Sequence, residues 1–276
     1  MIALPPESYS MIFHNLRQDY KSLLSCVRVN RHWCRIAIPI LWSEPGPHFR
    51  KPKFIGNLLL KLNAEEQALL IPFKITLPKQ QKKKPTPLFD YISYITSITE
   101  EFYEGVEKWL PYRYGLNKWQ PLGIDEMSDL YELVDAVKCS LLIKLLRSIK
   151  SLKCLYLDKV ICNQSLFEIL YEKTTVTSLC LLDLDEDFKY RTKAVDVLSR
   201  IFNMNPTLTS LNLKSVRLEA REIKTLFKTL NKNLSFLCLY ETKIDTEEKW
   251  ITIADYLCEN TTLTFLDLSY QKEEEN

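Results

Sequence analysis

The chain has 276 residues, 46% of them apolar and 26% charged, with a formal net charge of +2. That length allows a substantial core in one or two domains, and a charge so near balance leaves no basic footprint for nucleic acid. The most apolar stretch, LYELVDAVKCSLLIKLLRSI (130–149), is interrupted by Glu132, Asp135, Lys138, Lys144 and Arg147 and is not a membrane span.

Residue usage narrows the chemistry further. The five glycines (46, 56, 105, 115, 123) are never close together. A phosphate-cradling loop needs clustered glycines so that backbone N–H groups can approach the anion, so no nucleotide or other cofactor is expected. Eight cysteines are scattered without a CxxC pair, and MIALPPESYS has neither a basic start nor an apolar run. Reduced thiols and a cytoplasmic or nuclear location are the expectation.

Residues 1–48 read as three short helices. Pro5 and Pro6 precede apolar residues at helical spacing, Ile12, Phe13 and Leu16. After the polar break RQDYK come Leu23, Leu24 and Val27, then a helix through Trp33, Ile36 and Ala37 that Pro39, with Pro45 and Pro47, is expected to end. Three such helices make a thin core, so something should complete it. Cys26, His32 and Cys34 raise the question of a metal or catalytic site. Their spacing of six and two is not that of a zinc pair, and on a helix His32 and Cys34 stand about 200° apart. No orienting partner for a Cys–His nucleophile is evident nearby.

Residues 49–150 read as a helical connector without a repeat. KFIGNLLLKLNAEEQALLI, LFDYISYITSITEEFYEGVEKWL and EMSDLYELVDAVKCSLLIKLLRSI carry helical apolar spacing, and a basic loop near 72–87 contains KQQKKKP. That loop reads as a solvated linker rather than a nucleic-acid contact.

Residues 151–276 repeat. LKCLYL (152–157), VTSLCL (176–181), LTSLNL (208–213), LSFLCL (234–239) and LTFLDL (263–268) share apolar-x-x-Leu-x-Leu, with starts 24, 32, 26 and 29 residues apart. Helical patterns such as TKAVDVLSRIF and REIKTLFKTL lie between them. One strand with leucines on one face and one helix with a single apolar stripe bury those faces only by stacking. These five units resemble degenerate leucine-rich repeats. The family's asparagine after the strand is replaced by Val160, Val216 and Thr242, and the second unit carries an acidic insertion, DLDEDF, lacking the glycine of a calcium loop. Opposite the leucines, Tyr156, Phe236, Tyr240 and Phe265 form a candidate target-binding surface, since aromatics dominate interface hot spots.

The N-terminal pattern resembles the F-box, the adaptor-binding module of cullin–RING ubiquitin ligases. The resemblance covers residues 4–42 and rests on Leu4-Pro5, Glu7, Ile12-Phe13, Leu16, Leu23-Leu24, Cys26, Val29-Asn30-Arg31, Trp33, Ile36-Ala37 and Leu41-Trp42. Ser8 and Tyr9 stand where the family usually has apolar residues. The resemblance implies that Leu4, Pro5, Glu7, Ile12, Phe13, Leu16, Leu24, Val29 and Trp33 dock a Skp-type adaptor and, through it, a cullin. The expected fold is α+α/β: a three-helix module, a helical connector (49–150) and a repeat solenoid (151–276). The expected function is substrate recognition in a Skp–cullin–F-box ligase, without enzymatic chemistry, metal, nucleic acid or membrane. The alternative is a leucine-rich-repeat scaffold or inhibitor unconnected to a ligase.

Overall fold

The computed structural model describes residues 4–73, 75, 77, 89–114, 124–158, 163–173, 175–184, 188–230 and 233–269. The KQQKKKP segment, Val160, the centre of DLDEDF and the final QKEEEN lie outside them.

Three helices come first: α1 (Pro6–Asn15), α2 (Tyr20–Val27) and α3 (Arg31–Ser43). Each begins where the sequence supplies a start. Pro6 stands at the first position of α1, whose missing N–H costs nothing there. The Asp19 carboxylate accepts from Ser22 N, and the Asn30 side chain accepts from Trp33 N at 2.8 Å. One expectation is corrected: Pro39 does not end α3, which runs through it to Ser43 and stops before Pro45. A proline mid-helix removes one donor and leaves the carbonyl four residues back unpaired; here that residue is the exposed Arg35, open to water.

The connector packs as α4 (Gly46–Phe49), α5 (Pro52–Leu59), α6 (Ala64–Ala68), a 3-10 turn (Tyr91–Tyr94), a short strand β1 (Ser97–Ile98), α7 (Glu100–Tyr114) and α8 (Ile124–Ser148). Beyond it follow β2 (Cys154–Leu157), α9 (Gln164–Tyr171), β3 (Ser178–Leu184), α10 (Phe188–Met204), β4 (Ser210–Val216), α11 (Ala220–Thr229), β5 (Phe236–Tyr240), α12 (Glu247–Glu259) and β6 (Phe265–Asp267). Among the described residues the six strands form one sheet, all parallel, in the order β1-β2-β3-β4-β5-β6. A parallel neighbour requires a crossover, and one helix per strand from β2 onward provides it. Successive helices from α8 to α12 pack side by side.

Register explains the leucine spacing. Leu155, Leu179, Leu211, Leu237 and Leu266 are directly paired across the sheet, as are Leu157, Leu181, Leu213 and Leu239. The first four of the former row and all of the latter are buried. Leu266, on the last described strand, is 40% exposed.

The sheet starts earlier than the leucine motif indicates. Ile95-Thr96-Ser97-Ile98 aligns with Val176-Thr177-Ser178-Leu179 and Leu208-Thr209-Ser210-Leu211, and β1 pairs Ile98 with Leu155. Just before the strands runs a ladder of hydrogen bonds. Thr177 Oγ1 donates to Lys153 O, Thr209 Oγ1 to Thr177 O, Ser235 Oγ to Thr209 O, and Thr264 Oγ1 to Ser235 O. At its start, Thr96 donates both N (2.8 Å) and Oγ1 (3.0 Å) to Ser43 O, the last residue of α3. The N-terminal helices thus adjoin the first rung of the sheet.

Candidate functional site

Two surfaces are built on this frame. The N-terminal helices enclose a small core of Phe13, Leu23, Ala37 and Ile40, with Tyr9, Leu16, Cys26, Val27, Trp33, Ile36 and Leu41 packed around it. It is separate from the large core that runs from Phe49 to Tyr256. Phe13 meets Trp33 edge-on at 5.2 Å, and Tyr9 lies 5.5 Å from Trp33 and 5.6 Å from His32. Tyr9, where the F-box family usually has an apolar residue, therefore adds an aromatic wall to this core.

The residues expected to dock an adaptor divide. Leu4, Pro5, Glu7, Ile12 and Val29 are exposed, Leu16, Leu24 and Trp33 are half-buried, and Phe13 is a core residue only 1% exposed. Met11, 71% exposed, was not singled out in the sequence. Like Leu4, Ile12 and Val29, it is a large apolar side chain left in water. His32 and Cys34 do not meet at a metal site: among the described residues no group of three or more His, Cys, Asp or Glu side chains is placed to hold an ion.

The second surface is the strand face opposite the leucines. Phe236 and Phe265 are register partners stacked in parallel at 4.3 Å. Tyr240 lies four residues further along β5, beyond Cys238 and roughly 13 Å from Phe236 at ordinary strand rise, in a row with Leu182 and Lys214. Tyr156 is not with them. It pairs with Cys180 on β3, and β4 intervenes before β5, a separation of roughly 14 Å at ordinary strand spacing. The four aromatics therefore form one stacked pair and two separate outliers. Burial pushes the Cys180 thiol up to about 12 and raises the Tyr156 phenol, so both are protonated and inert as nucleophiles near neutrality.

A third feature has no counterpart in the sequence reading. Lys138 of α8 is buried beside a cavity of about 500 Å3, with Nζ 2.9 Å from Asp158, 3.3 Å from Glu107 and 5.4 Å from the Tyr103 ring. The Tyr103 hydroxyl donates to Tyr156 O. Tyr103 and Glu107 are one turn apart on α7, but Lys138 and Asp158 come from distant segments, so only the fold brings the group together.

Residues 1–46 match the protein family described as F-box-like. The match supports an F-box protein, and an F-box-like domain suggests an adaptor role in Skp–cullin–F-box ligases, whose F-box domains generally bind Skp-type adaptors. No curated protein and no solved structure matches the chain.

Proposed function

We propose that the chain is the substrate-recognition subunit of a Skp–cullin–F-box ubiquitin ligase, acting in the cytoplasm or nucleus. The observation that carries this is that Leu4, Met11, Ile12 and Val29 are large apolar side chains left exposed on an F-box-like helical module whose own core cluster has only four buried apolar residues. An adaptor laid on the module completes the core. We read the β2–β6 units as degenerate leucine-rich repeats, stacked as a solenoid, with the stacked Phe236 and Phe265 as the centre of a target-binding surface and Tyr240 and Tyr156 at its margins. The mechanism is proximity: one end holds the ligase, the other holds the target, and ubiquitin transfer to nearby lysines becomes effectively intramolecular. No side chain of this protein takes part in bond making.

The test is co-expression with a Skp-type adaptor, comparing wild type with Leu4→Ala/Ile12→Ala. Both side chains are exposed, so the variant is expected to keep the wild-type melting temperature while losing at least tenfold in adaptor affinity. A folded wild-type chain that does not bind any Skp-type adaptor would refute the reading and leave a repeat scaffold.

A further inference from the structure

A groove of about 710 Å3 lies between the N-terminal helices and Phe89, lined by Val27, Asn30, Arg31, Cys34, Arg35 and Phe89. Its walls are chiefly apolar, formed by Val27, Cys34, the Phe89 ring and the aliphatic stems of two arginines. Arg31 and Arg35 are one turn apart on α3, and Arg28 stands just before that helix. All three are exposed, and none forms an ion pair with a described carboxylate.

This arrangement works against the fold's own stability. Like charges at i and i+4 repel. The first turn of a helix is its positive end, where acidic residues are the stabilising choice, and α3 has none there. Uncompensated cations around an apolar groove are complementary to an anion that carries an apolar group.

We propose that the groove seats an acidic segment of a partner protein. One apolar side chain enters between Val27, Cys34 and Phe89, and flanking carboxylates pair with Arg31 and Arg35. A guanidinium fork holds a carboxylate through two parallel N–H bonds, which gives such a seat direction as well as charge. Nucleic acid is the poorer fit, because a phosphate backbone is tracked by an extended basic stripe, and among the described residues lining the groove the charge is confined to Arg31 and Arg35, one helical turn apart. The site uses none of the residues assigned to the adaptor or the target, so it stands independently of the ligase reading.

The experiment uses the full chain and two labelled synthetic hexapeptides, EELEEF and its neutral counterpart QQLQQF, followed by fluorescence polarisation. The acidic peptide is expected to bind at least tenfold more tightly than the neutral one and to weaken as salt is raised. Arg31→Gln/Arg35→Gln should remove that preference, and Phe89→Ala, from a different segment, should weaken binding while leaving the preference in place. Both arginines are exposed, and an unchanged thermal melt verifies the fold. Equal binding of the two peptides, binding indifferent to the double substitution, or stronger competition by a single-stranded oligonucleotide of equal charge would each overturn the proposal.

Discussion

At the scale of single residues, Lys138 is the most consequential charge in the described chain. It is 6% exposed, and its ammonium is shared among Asp158 at 2.9 Å, Glu107 at 3.3 Å and Asp135 at 4.0 Å. Burial alone would lower its pKa, but the charge and hydrogen bond of Asp158, with Glu107 and Asp135, more than reverse this and hold it above the usual lysine value. The folded chain thus binds this proton more tightly than the unfolded chain does. The stabilisation is complete below the ordinary lysine pKa of 10.5 and is lost as pH rises through the folded value. Tyr103 acts in the same direction: burial first, then the charge of Asp158, lifts its phenol well above 10, so the unfolded chain ionises first. Lys138→Met is expected to cost about 3 kcal/mol at pH 7.5, toward the low end for a broken buried pair because Glu107 and Asp135 can take up water. Urea titrations at pH 7.5 and above pH 10.5 should show the variant losing less stability on the alkaline step than wild type. A neutral-pH loss under 1 kcal/mol would mean that the pair is solvated. The thiols offer a simpler check. Cys258 is exposed, whereas Cys139 and Cys180 are buried, so alkylation at pH 8 followed by mass spectrometry should modify Cys258 first and leave the other two intact until the chain is unfolded.

At the scale of elements, the strand entries are held by a device different from the one that the repeat family suggests. No asparagine stands at the family's position after the strand, where the sequence has Val160, Val216 and Thr242; Ser215 and Glu241, equivalent positions on β4 and just after β5, adopt left-handed backbone with φ of 53° and 54°. Asparagines occur before the strands. Asn205 Nδ2 donates to Val176 O at 2.8 Å, while its Oδ1 accepts from Thr207 N and Oγ1. Asn260 repeats this toward Leu234 O, Thr262 N and Leu263 N. The two sites differ in burial: Asn205 is 2% exposed and Asn260 half-buried. Asn205→Ala removes a buried amide that bridges Val176 O and Thr207 N, leaving Thr207 Oγ1 as the donor to Val176 O, and is expected to cost about 2 kcal/mol; Asn260→Ala, where water can substitute, about 1 kcal/mol. Denaturant melts of the two variants decide this, and equal losses would show that burial is not the deciding factor. The contrast also marks how far the sequence could be read. Leucine spacing placed β2 to β6 because two leucines per strand must face one core. It missed β1, since Glu100 stands where the pattern has its second leucine, although the shared Thr-Ser before Ile98 was visible. It missed Asn205 and Asn260 because a hydrogen bond to a preceding unit depends on register across 26–29 residues, which spacing within one unit cannot reveal. Of the adaptor-facing residues, helical periodicity identified Phe13 and Trp33 as apolar positions but could not sort Phe13 into the core and Ile12 onto the surface. That sorting depends on how α1 is rotated against α3.

At the scale of the molecule, the question is how firmly the adaptor face and the strand face are held relative to each other. The two hydrophobic cores are separate, so the N-terminal module depends on its junction with the sheet. That junction consists of the paired donation of Thr96 to Ser43 O, and of Trp42 at the end of α3, which lies against Tyr91 at 4.8 Å and Phe54 at 5.6 Å. Tyr20 and His48 add a ring contact at 4.4 Å. A helix that ends in a hydrogen bond to the first rung of a sheet is a fixed bracket rather than a tether. A module with only five buried apolar residues in its three helices cannot supply that rigidity by itself. Trp42→Ala removes the aromatic part of the bracket and leaves the hydrogen bonds. Because Trp42 is half-buried, the cost is about 2 kcal/mol, below the range for a fully buried tryptophan. The loss should be local. Native-state hydrogen exchange of amides in α1–α3 should accelerate by roughly 30-fold, the factor that 2 kcal/mol represents, while the amides of β3, β4 and β5 keep their wild-type rates. A uniform acceleration across both regions would show instead that the chain opens as one cooperative unit. In that case the adaptor face and the strand face would be coupled by folding itself, and any partner bound at one end would stabilise the other.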